Sequence, residues 1–341
     1  MGVTESLTPP PGIEPLPVWI PPDAGVVDLL VGAAAGTGTA LVAPLVRRPL
    51  LRGIAHLLSQ PGPRPGGSGS VSRRREAAAG DPGWFGPDSV AWRVHADPSI
   101  LVAGMAAFML QALHPLALAA VADNGSFAED FAGRVLRTGE FLSGVVYGSS
   151  EEAAARCAAV RRVHHPVVGT APDGRLYDAN DPELLAWVHV GELLAIAAAY
   201  RRFGLHPLPA ADLDRYVAEM AVAGEAVGVV DPPRSWAELD AAYQRFRPQL
   251  AVGEQTRSAM AYLRRPPRLP AGLLPVWGTV WSGGLACLPP SALRLLGVRV
   301  PAPAAVAACR SLVRSLAALL GPPPPLVAAR ARLAAGAGAG G

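Results

Sequence analysis

The stretch DPELLAWVHVGELLAIAAAYRRFG, residues 181–204, carries a full set of helix signals. Asp181 suits an N-cap, and Pro182 suits the first helical position, where its missing N–H costs nothing. Arg201 and Arg202 fall in the last turn and Gly204 closes it, as a helix C-terminus favours. Between them stand mostly alanine and leucine, which lose little conformational freedom in a helix. The same devices recur on either side. Asp97-Pro98 opens a predicted helix over 97–122, and Ser235-Trp-Ala-Glu238 is a capping box for one over 235–262. Further helices are predicted at 127–147, 150–165, 211–226 and 291–320, with a helical pair at 24–58.

Composition points the same way. Hydrophobic residues make up 50% of the chain, aromatic ones only 6%, and alanine dominates the apolar share. Stretches rich in Val, Ile, Thr and aromatics are scarce, so an all-α fold is expected. No internal repeat is visible. Residues 61–83, PGPRPGGSGSVSRRREAAAGDPG, read as a linker. It divides an N-terminal helical extension (1–60), Pro-rich and extended over 1–23, from a main domain over 84–325. The Gly/Ala/Pro-rich tail at 326–341 is expected to be disordered.

All 30 basic residues are arginines, and the net charge is only +3. The densest basic run, Arg73-Arg74-Arg75, lies in the linker without interleaved aromatics, so no nucleic-acid partner is expected. Cys157, Cys287 and Cys309 are odd in number and far apart, which fits a reducing compartment and neither a disulfide framework nor a zinc knuckle. The opening MGVTESLTPPPG lacks a basic segment followed by an apolar one, and a cytoplasmic protein is expected. Ile100–Ala122 is long enough to span a bilayer. His114 and Pro115 in its middle favour a buried core helix, and peripheral membrane contact stays open. Gly36-Thr-Gly-Thr lacks the lysine and preceding strand of a phosphate-binding loop. No Gly-x-Ser-x-Gly elbow supports serine hydrolysis.

Within the central hundred residues four histidines fall on predicted helices: His114, His164, His165 and His189. Pro166 ends the helix that carries the middle pair. Helical spacing puts Cys157, Val160, Arg161 and His164 on one largely apolar face and turns His165 about 100° away. His189 lies one turn before Glu192, so a carboxylate stands near an imidazole. A di-iron bundle needs paired Glu-x-x-His motifs, which are absent, and no thiol stands at zinc-ligand spacing from Cys157. Arg134, Arg137 and Thr138 share a second helix face, at i, i+3 and i+4. Such a face suits a carboxylate or a polarised oxygen, or is a solvated basic stripe.

The series FGPDSVAWRV (85–94), LQALHPLALAAVAD (110–123), RVLRTGEF (134–141), VRRVHHPVVG (160–169), YDANDPELLAWVH (177–189) and LGVRV (296–300) resembles one family in order and spacing. It is the family of fungal MpaB-type oxygenases and bacterial latex clearing proteins, and the likeness runs from about Trp84 to 325. The resemblance implies a globin-like helical core around haem b, with His164 of the Arg161-x-x-His164 motif as the iron's axial ligand. It implies a distal cluster at Arg134, Arg137 and Thr138, across the macrocycle from His164, and a pocket histidine at His189. Three positions depart from the latex-clearing pattern. Arg137 replaces a lysine, Val168 replaces an arginine, and no carboxylate lies between Ile100 and Ala122 to act as base. A guanidinium has no lone pair to cap iron, so Arg137 is expected to hydrogen-bond dioxygen or a carboxylate.

The resulting expectation is a haem b oxygenase or oxidase using dioxygen on a small hydrophobic molecule. His164 is the metal ligand, and Arg134, Arg161 and His165 contact the cofactor. Arg137, Thr138, His114 and His189 are the catalytic candidates, with one of the histidines as base. The alternatives are a non-catalytic haem or small-molecule binding protein and a membrane-associated helical scaffold.

Overall fold

The computed structural model describes residues 79–123, 131–267 and 269–338. The predicted N-terminal extension, nearly all of the linker and the start of the helix predicted at 127–147 lie outside the described residues. Among the described residues the chain is all-α, with thirteen helices and one short hairpin. They run α1 (Val90–His95), α2 (Ile100–Gln111), α3 (Pro115–Asp123), α4 (Phe131–Tyr147) and α5 (Ser150–His164), then β1 (Val168–Thr170) and β2 (Leu176–Asp178). Next come α6 (Pro182–Phe203), α7 (Ala210–Val227), α8 (Trp236–Phe246) and α9 (Glu254–Arg264). The last are α10 (Leu274–Cys287), α11 (Pro290–Leu296), α12 (Pro303–Leu320) and α13 (Pro324–Gly338).

Helix α6 is the axis of the molecule. The Asp181 carboxylate accepts from the Glu183 and Leu184 amides at 2.8 and 3.4 Å, and fifteen of the helix's 22 residues are buried. A helix apolar on nearly all sides belongs in a core, and here α2, α7, α8 and α10 pack around it. The α2–α6 contact is pinned by polar groups. Trp187 Nε1 donates to the Gln111 carbonyl at 3.2 Å, and Gln111 Nε2 donates to the Val188 carbonyl at 3.1 Å. On its other side α2 lies close to α10, where a Cβ on Gly284 would stand 2.7 Å from Met105 Cγ. Only glycine permits that approach.

Several predicted helices are broken where the sequence reading ran on. The one over 97–122 is two, α2 and α3, meeting at 106°. Pro115 supplies no amide at the turn, and His114 Nδ1 takes the Ala117 amide at 3.4 Å in place of a helical carbonyl. The 23-residue span is therefore no straight rod. The helix over 235–262 divides into α8 and α9 around Pro248, and that over 291–320 divides at Gly297, which is left-handed at φ 67°. Among the described residues, α6 and α12 are long and apolar enough to cross a membrane. Of the apolar window, 78% is buried inside the protein for α6 and 33% for α12.

The largest correction is at the C-terminus, where α13 replaces most of the expected disordered tail. Leu326 and Ala329 are buried, and Arg332 donates to the carbonyls of Asp81, Tyr147 and Gly148 at 2.8, 2.9 and 3.1 Å. Alanine-rich composition supports a helix once one side of it has somewhere to pack. The same bonds tie residues 80 and 81, placed in the linker by sequence, onto the folded body.

Candidate functional site

Helix α5 is built to end at its histidines. Ser149 Oγ accepts the Glu152 amide at 3.1 Å, acidic residues fill the first turn, and Arg161, Arg162 and His164 fill the last. That distribution complements the helix dipole. The His165 amide still bonds the Arg161 carbonyl at 3.1 Å, and Pro166 then diverts the chain into the β1–β2 hairpin, which leads back to α6. The two histidines diverge as helical spacing requires. His164 is half-buried, whereas His165 is exposed. Nδ1 of His164 is inaccessible to solvent and has no hydrogen-bond partner. Burial lowers the pKa of His164, with the charge of Asp178 opposing, so the neutral imidazole is favoured.

Arg161 and His165 face elsewhere. With Asn180 and Leu185 they line an open groove of ≈ 690 Å³ between the ends of α5, α6 and α7. Cys157, one helical face back from His164, is buried, and burial pushes its thiol up to about 11. It is not a thiolate at neutral pH.

Helices α4 and α5 are joined only by Gly148 and Ser149 and pack against each other, with Gly144 of α4 against Arg156 of α5. Arg134 is half-buried and donates to the Val121 carbonyl at 3.3 Å, while Arg137 and Thr138 are exposed.

The other two candidates are separated by α6. His114 is buried, with both ring nitrogens engaged by Gln249 Oε1 at 3.1 Å and the Ala117 amide at 3.4 Å. Its ring lies 6.0 Å from that of Trp187. His189 is two residues beyond Trp187, roughly 200° around the helix, and faces α7 instead. There Gly224 makes room for it, since a Cβ would stand 3.0 Å from His189 Nε2. Helix α7 also packs against α5, whose last turn carries His164.

His189 Nε2 is buried without a hydrogen-bond partner, and burial lowers the pKa of His189 to about 4. One turn on, Glu192 Oε1 is also without a partner, and burial raises the carboxyl to about 7. The sequence reading noted Glu192 only as a neighbour of His189, yet no hydrogen bond joins them. Two further residues went unread. His95 Nε2 pairs with Tyr216 Oη at 3.2 Å, and Trp92 Nε1 is buried without a partner. Both stand on α1, a six-residue helix whose amides at Val90 and Ala91 are capped from α7 by Glu219. A helix so short, stabilised from 129 residues away, leaves little local signal.

Among the described residues no group of three or more His, Cys, Asp or Glu comes together to hold a bare metal ion. A family model described as the catalytic domain of ER-bound oxygenase mpaB/B' and rubber oxygenase matches residues 92–321. No curated protein and no solved structure matches the chain.

Proposed function

The chain belongs to the mpaB and rubber oxygenase catalytic-domain family, and on that premise we propose a haem b oxygenase that uses dioxygen on a small hydrophobic molecule. The observation that supports it most is His164. Its imidazole is half-buried and favoured neutral, a ring nitrogen lacks any protein partner, and the family match spans it together with Arg134, Arg137 and Thr138. Those residues fit haem b. Haem brings its own ring nitrogens to the iron, so a single protein histidine would suffice to hold it, and arginines would suit its propionates. Haem, when bound, supplies the iron redox chemistry that activates dioxygen.

The protein's share is positioning and proton control. His164 would hold the metal through a neutral ring nitrogen. Arg134, which donates to the Val121 carbonyl, would pair with a haem propionate. Arg137 and Thr138 place donors where negative charge develops, and Arg137 cannot act as a ligand because it has no lone pair. His189 is the candidate base: its Nε2 is free to accept a proton, and its burial keeps it neutral. His114 has both nitrogens occupied by the fold and is the weaker candidate for that role. Glu192, near neutral pH, can hold a proton on its buried carboxyl close to His189.

Haem supplementation followed by oxygen uptake with a panel of lipids and terpenoids tests this reading. A Soret band with substrate-dependent oxygen consumption is expected. A Soret band with no uptake on any substrate would favour a non-catalytic haem protein.

A further inference from the structure

A second groove opens at the far end of α6. It holds ≈ 820 Å³ between the C-terminal ends of α6 and α10, helix α8 and the adjoining parts of α11 and α12. Five guanidiniums line it, from Arg201, Arg202, Arg247, Arg294 and Arg310, against the single carboxylate of Asp240. Among the described residues none of the five forms an ion pair, unlike Arg93, Arg156, Arg175, Arg215 and Arg234. Asp240 is engaged by Gln244 Nε2 at 3.4 Å, and Gln244 Oε1 accepts from Arg247 at 2.8 Å.

Guanidiniums remain charged at physiological pH and repel one another. All five are exposed, yet three are engaged by neighbours, Arg247 through Gln244. Arg310 donates through Nε and Nη2 to the Arg202 carbonyl at 3.3 and 3.1 Å, and Arg201 lies 5.8 Å from the Trp236 ring centre. The α6 C-terminus thus accounts for Arg201, Arg202 and Arg310, but not for Arg247 and Arg294, which reach the same groove from two further elements. Beneath them the floor is apolar, made by Leu194, Ala198, Ala286 and Leu288.

We propose that this groove binds a small amphiphile carrying a phosphate ester, with its head among the arginines and its apolar part on the floor. Several guanidiniums arriving from different elements call for an anion with three acceptor oxygens and up to about two charges, more than a carboxylate offers. The concave shape suits a discrete molecule rather than a flat bilayer surface. Arg201 lies roughly 18 Å along the helix axis from His189, so the site is separate from the proposed oxygenase centre.

Isothermal titration calorimetry of the purified chain with hexyl phosphate tests the proposal without haem or turnover. Saturable binding, weakened by salt, is expected, with inorganic phosphate at least about tenfold weaker because it cannot use the apolar floor. Arg247 and Arg294 are exposed, so the double variant Arg247→Gln/Arg294→Gln should fold normally by circular dichroism. It should lose about tenfold or more in affinity. Asp240→Asn should gain about twofold. Sedimentation with phosphatidic acid vesicles forms the second arm. Vesicle binding without hexyl phosphate binding would make the patch a membrane contact and overturn the proposal. So would equal affinity for hexyl and inorganic phosphate, or unchanged affinity in the double variant.

Discussion

Two buried histidines flank α6, and the fold treats them in opposite ways. His114, on the α2 side, has a partner for each ring nitrogen. His189, on the α7 side, has a buried nitrogen with none, beside a carboxyl oxygen in the same condition. A buried polar group without a partner costs roughly 1–3 kcal/mol, so a fold optimised for stability alone would not keep two of them one turn apart. The first histidine is part of how α2 turns into α3. The second is placed where a ligand or a proton would complete it.

That contrast breaks if the two respond alike to substitution. The largest effect is expected at His189→Leu. Turnover should fall by about a hundredfold or more, as loss of a general base does, while thermal stability holds or rises. His114→Leu should do the reverse. It strands Gln249 Oε1 and the Ala117 amide, costing about 2–3 kcal/mol in denaturant unfolding, with the Soret band of the surviving folded protein unchanged.

The pH dependence sharpens the comparison further. His95 and His189 are held to about 4 in the folded chain, against 6.5 when exposed. Between those values the unfolded chain takes up protons that the folded one refuses, so both residues make stability fall as pH falls from 6.5 to 4. Glu192 has the opposite sign. Its carboxyl is raised to about 7 from 4.5, so the folded chain binds the extra proton and stability falls as pH rises through that window. Glu192→Gln should therefore stabilise the protein above pH 7 by about 3 kcal/mol. The gain should vanish near pH 4.5 in melting experiments; a gain independent of pH would show that Glu192 is not a buried, strained carboxyl.

Local chemistry was largely legible in the sequence. Asp181-Pro182 opens α6 and Ser235 caps α8 through the Glu238 amide, both as their residue types demand. The divergence of His164 and His165 followed from helical spacing alone. What escaped was tertiary. Helix α10 contains Gly283 and Gly284, poor helix formers that leave room for Cys309 of α12 and Met105 of α2 respectively. The tail became α13 because Arg332 finds carbonyls far away in sequence. The unsatisfied state of His189 and Glu192 is likewise a property of what α7 withholds, and Gly224 leaves only space to signal it.

The central claim is that His164 holds haem iron. Absorption spectra of the haem-supplemented protein and its His164→Ala variant test it most directly. The account predicts a Soret band in the parent that is lost in His164→Ala and kept in His189→Leu. An unaltered Soret band in His164→Ala would contradict it and move the ligand to another histidine.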